Sequence, residues 1–171
     1  MLVSKDTPRK TVLELGKIDC KGCSHCCRYG SGFLAENDAE KIAEFLRITK
    51  EELAGKFLEE GEKFNTRTLK PRLVKKGNMP FGKCVFLDES RGCKIHEVKP
   101  LQCKIGNCGH HSADLQKWFD LKFFVNPRDP ESVRQYALWL EFNEPLPGGN
   151  LHEIVPEMKR LREILSYGVI R

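Results

Sequence analysis

Ala39, Ile42, Ala43 and Leu46 recur at helical spacing, which predicts an amphipathic helix over residues 38–47. Asn37 stands at its N-cap, and Glu40 is placed for the reciprocal bond of a capping box. Thr49 and Glu52 repeat that signal and open a second helix, with Leu53 and Phe57 inward and Gly61 suited to its end. Thr66–Lys76 reads as a strand that Pro71 confines to a sheet edge. Val85–Leu87 and Cys93–Ile95 flank Asp88-Glu89-Ser90-Arg91-Gly92, the pattern of a short hairpin. Leu115–Val125 fits helix and strand equally. Asp129-Pro130 then opens a helix that carries Val133, Tyr136, Ala137 and Leu140 on one face. Ile154, Met158, Leu161 and Leu165 mark a last helix, started or interrupted by Pro156 and ended by Gly168. Trp118 and Trp139 fall among these apolar positions and read as core anchors.

These elements sum to an α+β chain: a small metal-centred domain with irregular cysteine loops, a short β hairpin and several flanking helices. Its 171 residues suit a single cysteine-cluster metal-binding domain over 1–171, with a helical C-terminal part from about residue 129. There is no internal repeat or low-complexity tract. No secretory signal and no bilayer-length apolar run is present, so the expected location is cytoplasmic, with no membrane partner. That location bears directly on the eight cysteines. Thiols stay reduced in the cytosol, so a dense set there points to metal ligation rather than to disulfides.

The net charge of +5 is unevenly distributed. Glu36–Glu62 is predominantly acidic, whereas every charged residue from Lys63 to Leu87 is basic. A basic run of this kind suits nucleic acid or an acidic partner. No aromatic platform is interleaved with it in the sequence, which favours a solvated face over nucleic-acid binding. Lysines on an edge strand also discourage strand-to-strand aggregation. The expected partner is a protein.

Cys20-x-x-Cys23-x-x-Cys26-Cys27 is the strongest signal in the chain. Cysteines three apart in a tight turn bring their sulfurs to one side, and Gly22 eases the path. Three such thiolates can hold three corners of a 4Fe–4S cube or three vertices of a zinc tetrahedron. Adjacent side chains diverge, so Cys27 is expected to serve a second metal or another face of the same centre. Cys84, Cys93, Cys103 and Cys108 form a second group, with Cys84 and Cys93 bracketing the hairpin. Together the groups suffice for two four-thiolate sites, or for one cluster and a smaller site. His96 lies three residues after Cys93, where it suits either a ligand or a turn residue. His110 and His111 read as exposed loop residues, because adjacent rings point apart. Arg28 and Lys21 are candidates to offset thiolate charge.

The first motif, followed by Cys84-Val85-Phe86-Leu87 and by Cys93-Lys94-Ile95-His96-Glu97-Val98-Lys99-Pro100-Leu101-Gln102-Cys103, resembles the YkgJ-type cysteine-cluster family. The resemblance covers residues 20–27 and 84–103. It implies a zinc- or iron-chelating domain, in a family whose members include flagellin lysine methylases. Lys99 stands where that family usually has Arg before Pro.

The tight cysteine run and the shortage of paired C-x-x-C units favour a 4Fe–4S cluster over zinc. The leading functional reading is therefore an iron–sulfur protein acting in electron transfer or as a cluster-stabilised module. A zinc-stabilised interaction module is the alternative. A methylase using S-adenosylmethionine is a further one, implied by the resemblance, although no G-x-G-x-x-G loop accompanies it. No catalytic residue is identifiable from the sequence.

Overall fold

The computed structural model describes residues 3–17 and 24–166. Features expected at Cys20, Lys21, Gly22, Cys23 and Gly168 therefore lie outside the described residues. In chain order the first elements are α1 (Arg9–Leu15), α2 (His25–Tyr29), α3 (Asp38–Leu46), α4 (Lys50–Phe57), β1 (Leu58–Lys63), β2 (Thr66–Pro71), β3 (Leu73–Val74) and β4 (Lys83–Cys84). They are followed by β5 (Leu87–Asp88), β6 (Gly92–Cys93), the 3-10 turn η1 (His96–Val98), α5 (Leu101–Ile105), α6 (Ser112–Phe123), α7 (Pro130–Leu140), α8 (Leu151–Ile154) and α9 (Met158–Leu165). Among the described residues the strands pair two by two, β1 with β2, β3 with β4 and β5 with β6, so the chain is α+β with helices predominating.

The chain divides into two units. One comprises Leu15–Gly61 and Thr68–Ser112, and contains every described cysteine. Its α4 begins as expected: Thr49 Oγ1 accepts the Glu52 N–H at 3.1 Å and Glu52 Oε2 accepts the Thr49 N–H at 3.2 Å. The start of α3 is built differently. Asn37 is left-handed, with φ 64°, and its side chain makes no cap bond. The buried Asp38 takes over, its Oδ2 accepting the N–H groups of Ala35 and Leu101, each at 2.8 Å. Gly61 does not end a helix. The second helix stops at Phe57, and Gly61 lies within β1, where a methyl group would stand 2.5 Å from the Phe33 ring. Its small size serves a close approach rather than a turn.

Behind these elements Leu34, Ile42, Ala43, Leu53, Leu58, Phe86, Leu87 and Ile95 form one apolar core, and Cys84 belongs to it. Three short antiparallel pairings cover its edge. Phe64 and Asn65, at φ 48° and 55°, turn β1 into β2, the left-handed pair that a two-residue hairpin requires. Leu73 pairs with Cys84 and Val74 with Lys83. The hairpin expected around Asp88–Gly92 is present but smaller, with Leu87 opposite Cys93 and Asp88 opposite Gly92. Asp88 Oδ1 fixes its loop by accepting the Ser90 and Arg91 N–H groups and the Ser90 hydroxyl, at 2.9, 3.0 and 2.7 Å.

The other unit comprises Met1–Glu14, Glu62–Arg67 and Ala113–Arg171. The ambiguous Leu115–Val125 stretch is the helix α6, with Leu115, Trp118, Phe119 and Asp120 buried. Trp118 donates its indole N–H to the Thr7 carbonyl at 2.9 Å. Asp129 caps α7 by accepting the Glu131 N–H at 3.1 Å, with Pro130 in the first turn. Tyr136 stacks on Trp139 at 5.6 Å, meets Phe64 edge-on, and donates its hydroxyl to the Gly149 carbonyl. The last helix is broken rather than continuous, α8 ending at Ile154 and α9 starting at Met158 around Pro156. No helix among the described residues is long and apolar enough to cross a membrane.

Candidate metal centre

α2 is a single turn and a half that carries Cys26 and Cys27 side by side. Ser24, at φ 57°, reverses the chain into it, and the Gly30 N–H closes it on the Cys26 carbonyl at 3.1 Å. The two sulfurs do not diverge as expected for neighbours in sequence. Cys26 Sγ and Cys27 Sγ are 3.9 Å apart, close enough to share one proton or one ion. The Cys27 thiol donates to Cys26, which holds the Cys26 thiol down at about 6. The same bond, followed by burial, pushes Cys27 up.

Three further thiols are coupled electrostatically to this pair. Cys84 comes from β4, Cys93 from β6 and Cys103 from α5. Negative charge on Cys93 and Cys103 acts on Cys27, and Cys26 acts on Cys84, Cys93 and Cys103. Cys26 and Cys27, of the first cysteine set in the sequence, are thus coupled electrostatically to Cys84, Cys93 and Cys103 of the second. Burial raises Cys84 and Cys93, and pushes Cys103 up to about 12. Each of these sulfurs also receives backbone donors. Phe86 and Leu87 N–H groups serve Cys84, Ile95 serves Cys93 and Gly32 serves Cys103. Donors aimed at sulfur stabilise thiolate, the form that binds metal.

The supports of Cys103 explain its placement. Asp38 accepts the first free N–H of α5, that of Leu101, which sets the start of the helix. Gln102 Oε1 accepts the Phe33 N–H at 2.6 Å and ties that helix to the Ser31–Phe33 segment. A methyl group at Gly32 would stand 2.6 Å from Cys103 Sγ and 2.9 Å from its backbone nitrogen. Only glycine leaves room for the sulfur there.

Among the described residues Lys99 is a cation that acts on the site: it adds to the lowering of Cys26 and opposes the burial that raises Cys93. The sequence offered Arg28 and Lys21 as candidates for this role. Arg28 is paired with Glu89 at 2.9 Å, and Lys21 lies outside the described residues. The signal that could have found Lys99 was its position before Pro100, where the resembling family carries Arg. A cation is kept there although its type differs.

His96 is exposed in η1, with Nε2 3.5 Å from Lys99 Nζ. His110 and His111 lie in the turn before α6, His110 exposed. Cys108 is exposed. The neighbouring Asn107 is anchored: its amide donates to the Gly16 carbonyl at 2.6 Å and its Oδ1 accepts the Gly109 N–H.

Among the described residues no three His, Cys, Asp or Glu side chains are gathered tightly enough to hold an ion. The donor set nonetheless fits a thiophilic metal. Five thiols lie within electrostatic reach of one another, two of their sulfurs stand 3.9 Å apart, and backbone N–H groups and Lys99 act against their charge. Zinc and iron both accept such ligands.

A family model described as "CxxCxxCC: Putative zinc- or iron-chelating domain" matches residues 19–120. That span contains every cysteine of the chain. No curated protein and no solved structure matches.

Proposed function

The chain belongs to the CxxCxxCC family of zinc- or iron-chelating domains, and from that premise we propose that Cys26 and Cys27 bind one and the same metal ion, in a mononuclear thiolate centre that stabilises the surrounding fold. The Cys26–Cys27 sulfur separation of 3.9 Å carries this reading. A tetrahedral ion with metal–sulfur bonds near 2.3 Å spaces its sulfurs about 3.8 Å apart. In a 4Fe–4S cube each iron takes one protein thiolate, so neighbouring ligands stand at separate corners. A four-coordinate ion has two further positions, and its candidates are Cys20, Cys23, Cys84, Cys93 and Cys103, with Cys108 outside the centre.

What the ion supplies when bound is a cross-link. Cys84 and Cys93 sit on strands of two residues each, and Cys26, Cys27 and Cys103 on helices of five. Elements this short do not persist by propensity alone. Thiols held protonated by burial must lose their protons on binding, so chelation strengthens with pH and adds directly to folding free energy.

Anaerobic purification followed by metal analysis, acid-labile sulfide determination and visible absorption tests the proposal. Zinc or iron without sulfide is the expected outcome. Iron with matching sulfide and broad visible absorption would replace it with the 4Fe–4S reading, which the C-x-x-C-x-x-C spacing supports.

A further inference from the structure

A groove of about 480 Å³ opens beside α2, in the same unit as the thiols. One wall is α2 itself, through Arg28 and Tyr29. The other is the loop between β3 and β4, with Val74, Lys76, Met79, Phe81 and Gly82. The apolar residues here are exposed rather than tucked in: Tyr29 53%, Val74 53%, Met79 44% and Phe81 41%. Scattered exposed apolar side chains need no explanation, but these are contiguous, and the Tyr29 and Phe81 rings meet at 5.7 Å. The loop does not fold them inward because its path is fixed from the base. Val74 pairs with Lys83, the Gly82 backbone approaches the Val74 carbonyl too closely for any side chain, and Gly77 turns at φ +56°.

Charge around the groove is one-sided. Arg28 and Lys83 both pair with Glu89, at 2.9 and 3.3 Å. Lys76 has no ion pair among the described residues, so the rim keeps an excess of positive charge. An apolar floor with a cationic rim suits an amphipathic, acidic ligand.

We propose that this groove docks an acidic peptide segment of a protein partner, seating one apolar side chain among Tyr29, Met79 and Phe81 and a flanking carboxylate on Lys76. Several features favour a peptide over nucleic acid. The Tyr29 and Phe81 planes are inclined at 60°, so they form a pocket rather than a flat stacking platform. Val74 and Met79 add aliphatic surface, and methionine adapts to varied apolar side chains. The inference goes beyond metal chelation and does not depend on which metal is bound.

Fluorescein-labelled hexapeptides carrying one Phe or Leu flanked by Glu, titrated into the full chain as purified, test the proposal. Peptides with Lys or Ala in place of Glu and an oligothymidylate serve as comparisons. The Glu-flanked Phe peptide should bind with a Kd of about 10–100 μM, as befits a single small pocket. Phe81→Ser and Lys76→Glu, both at exposed positions, should each weaken it about tenfold with an unchanged circular dichroism spectrum. Lys76→Glu should in turn bind the Lys-flanked peptide more tightly than the parent chain does, a charge-swap rescue that a folding defect cannot mimic. Equal binding of Glu- and Lys-flanked peptides, or no acidic peptide binding below about 1 mM, would overturn the proposal. Salt-sensitive oligothymidylate binding lost in the same variants would overturn it too, and assign the groove to nucleic acid.

Discussion

The Asp38 carboxylate accepts the Leu101 backbone N–H at 2.8 Å across 63 residues of sequence, joining the start of α3 to the start of the helix that carries Cys103. The same oxygen accepts the Ala35 N–H, so one buried side chain satisfies two backbone donors. Replacing Asp38 by Ala strands both donors, each worth about 1–3 kcal/mol when left unpaired. Asp38→Ala should therefore lose about 2–4 kcal/mol of stability in denaturant titrations. Metal content should fall with it, because α5 loses its anchor. Asp38→Asn keeps an acceptor and should fall between Ala and the parent.

Gly32 gives a sharper test of the site, since its neighbour is the Cys103 sulfur itself. The methyl of Gly32→Ala meets that sulfur at 2.6 Å and a backbone nitrogen at 2.9 Å, and backbone cannot move aside cheaply. Gly30→Ala meets nothing closer than 3.9 Å. Bound metal per chain should drop at least severalfold in Gly32→Ala and stay at the parent value in Gly30→Ala. Equal retention in both would mean that Cys103 is not a ligand.

Lys99 should matter through its charge rather than its shape. Its ammonium lowers Cys26 and Cys93, so it favours the thiolate forms. Lys99→Arg preserves this and should retain metal against a competing chelator. Lys99→Glu places a like charge beside the thiolates and should release metal on the order of tenfold more readily, since one pK unit corresponds to about 1.4 kcal/mol. Competition with a chromophoric chelator reads both.

The sequence revealed these features unevenly, for physical reasons. The Thr49–Glu52 box and the Asp129-Pro130 start were legible because a cap is a local bond between residues three or fewer apart. The first cysteine motif was legible for the same reason. Asn37 misled because Asp38, next to it, is claimed by Leu101, a partner no local pattern can display. Gly61 misled because a glycine serving a close approach to Phe33 looks identical in sequence to one ending a helix. The electrostatic coupling of Cys26 and Cys27 to Cys84, Cys93 and Cys103 was hidden by the long segments between them. The aromatic floor of the groove was hidden likewise: Tyr29 and Phe81 are far apart in the chain, and the pairing of their rings is not written in either segment alone.

Asp88 should show itself in acid. Three hydrogen bonds, from the Ser90 hydroxyl, the Ser90 N–H and the Arg91 N–H, hold its carboxyl down from 3.8 to about 2. A depressed acid contributes stability above its unfolded value and loses that contribution as pH falls through its folded value. The advantage of the parent over Asp88→Asn should thus be constant above about pH 5 and vanish between about pH 4 and pH 2. Comparing the two chains cancels the protonation of the thiols, which both share. An advantage that persists at pH 2 would show that shape, not charge, fixes the Ser90 turn.

Metal removal should separate the two units. All the described cysteines lie in the unit of Leu15–Gly61 and Thr68–Ser112, whereas both tryptophans, Trp118 and Trp139, lie in the other. That second unit has its own apolar core, with Trp118, Phe119, Phe124, Val133 and Tyr136 buried among its helices. The cysteine-bearing unit has a core too, but its five thiols stand on short elements that a metal would cross-link. Chelation should therefore abolish amide protection around Ile95, Leu101 and Ile105 while tryptophan emission stays close to that of the loaded protein. Hydrogen exchange resolved by residue, read beside fluorescence on one stripped sample, makes the comparison. Unchanged protection around Ile95 would sink the structural role of the metal. Collapse of both signals together would show instead that the two units fold as one cooperative whole, with the metal supporting all of it.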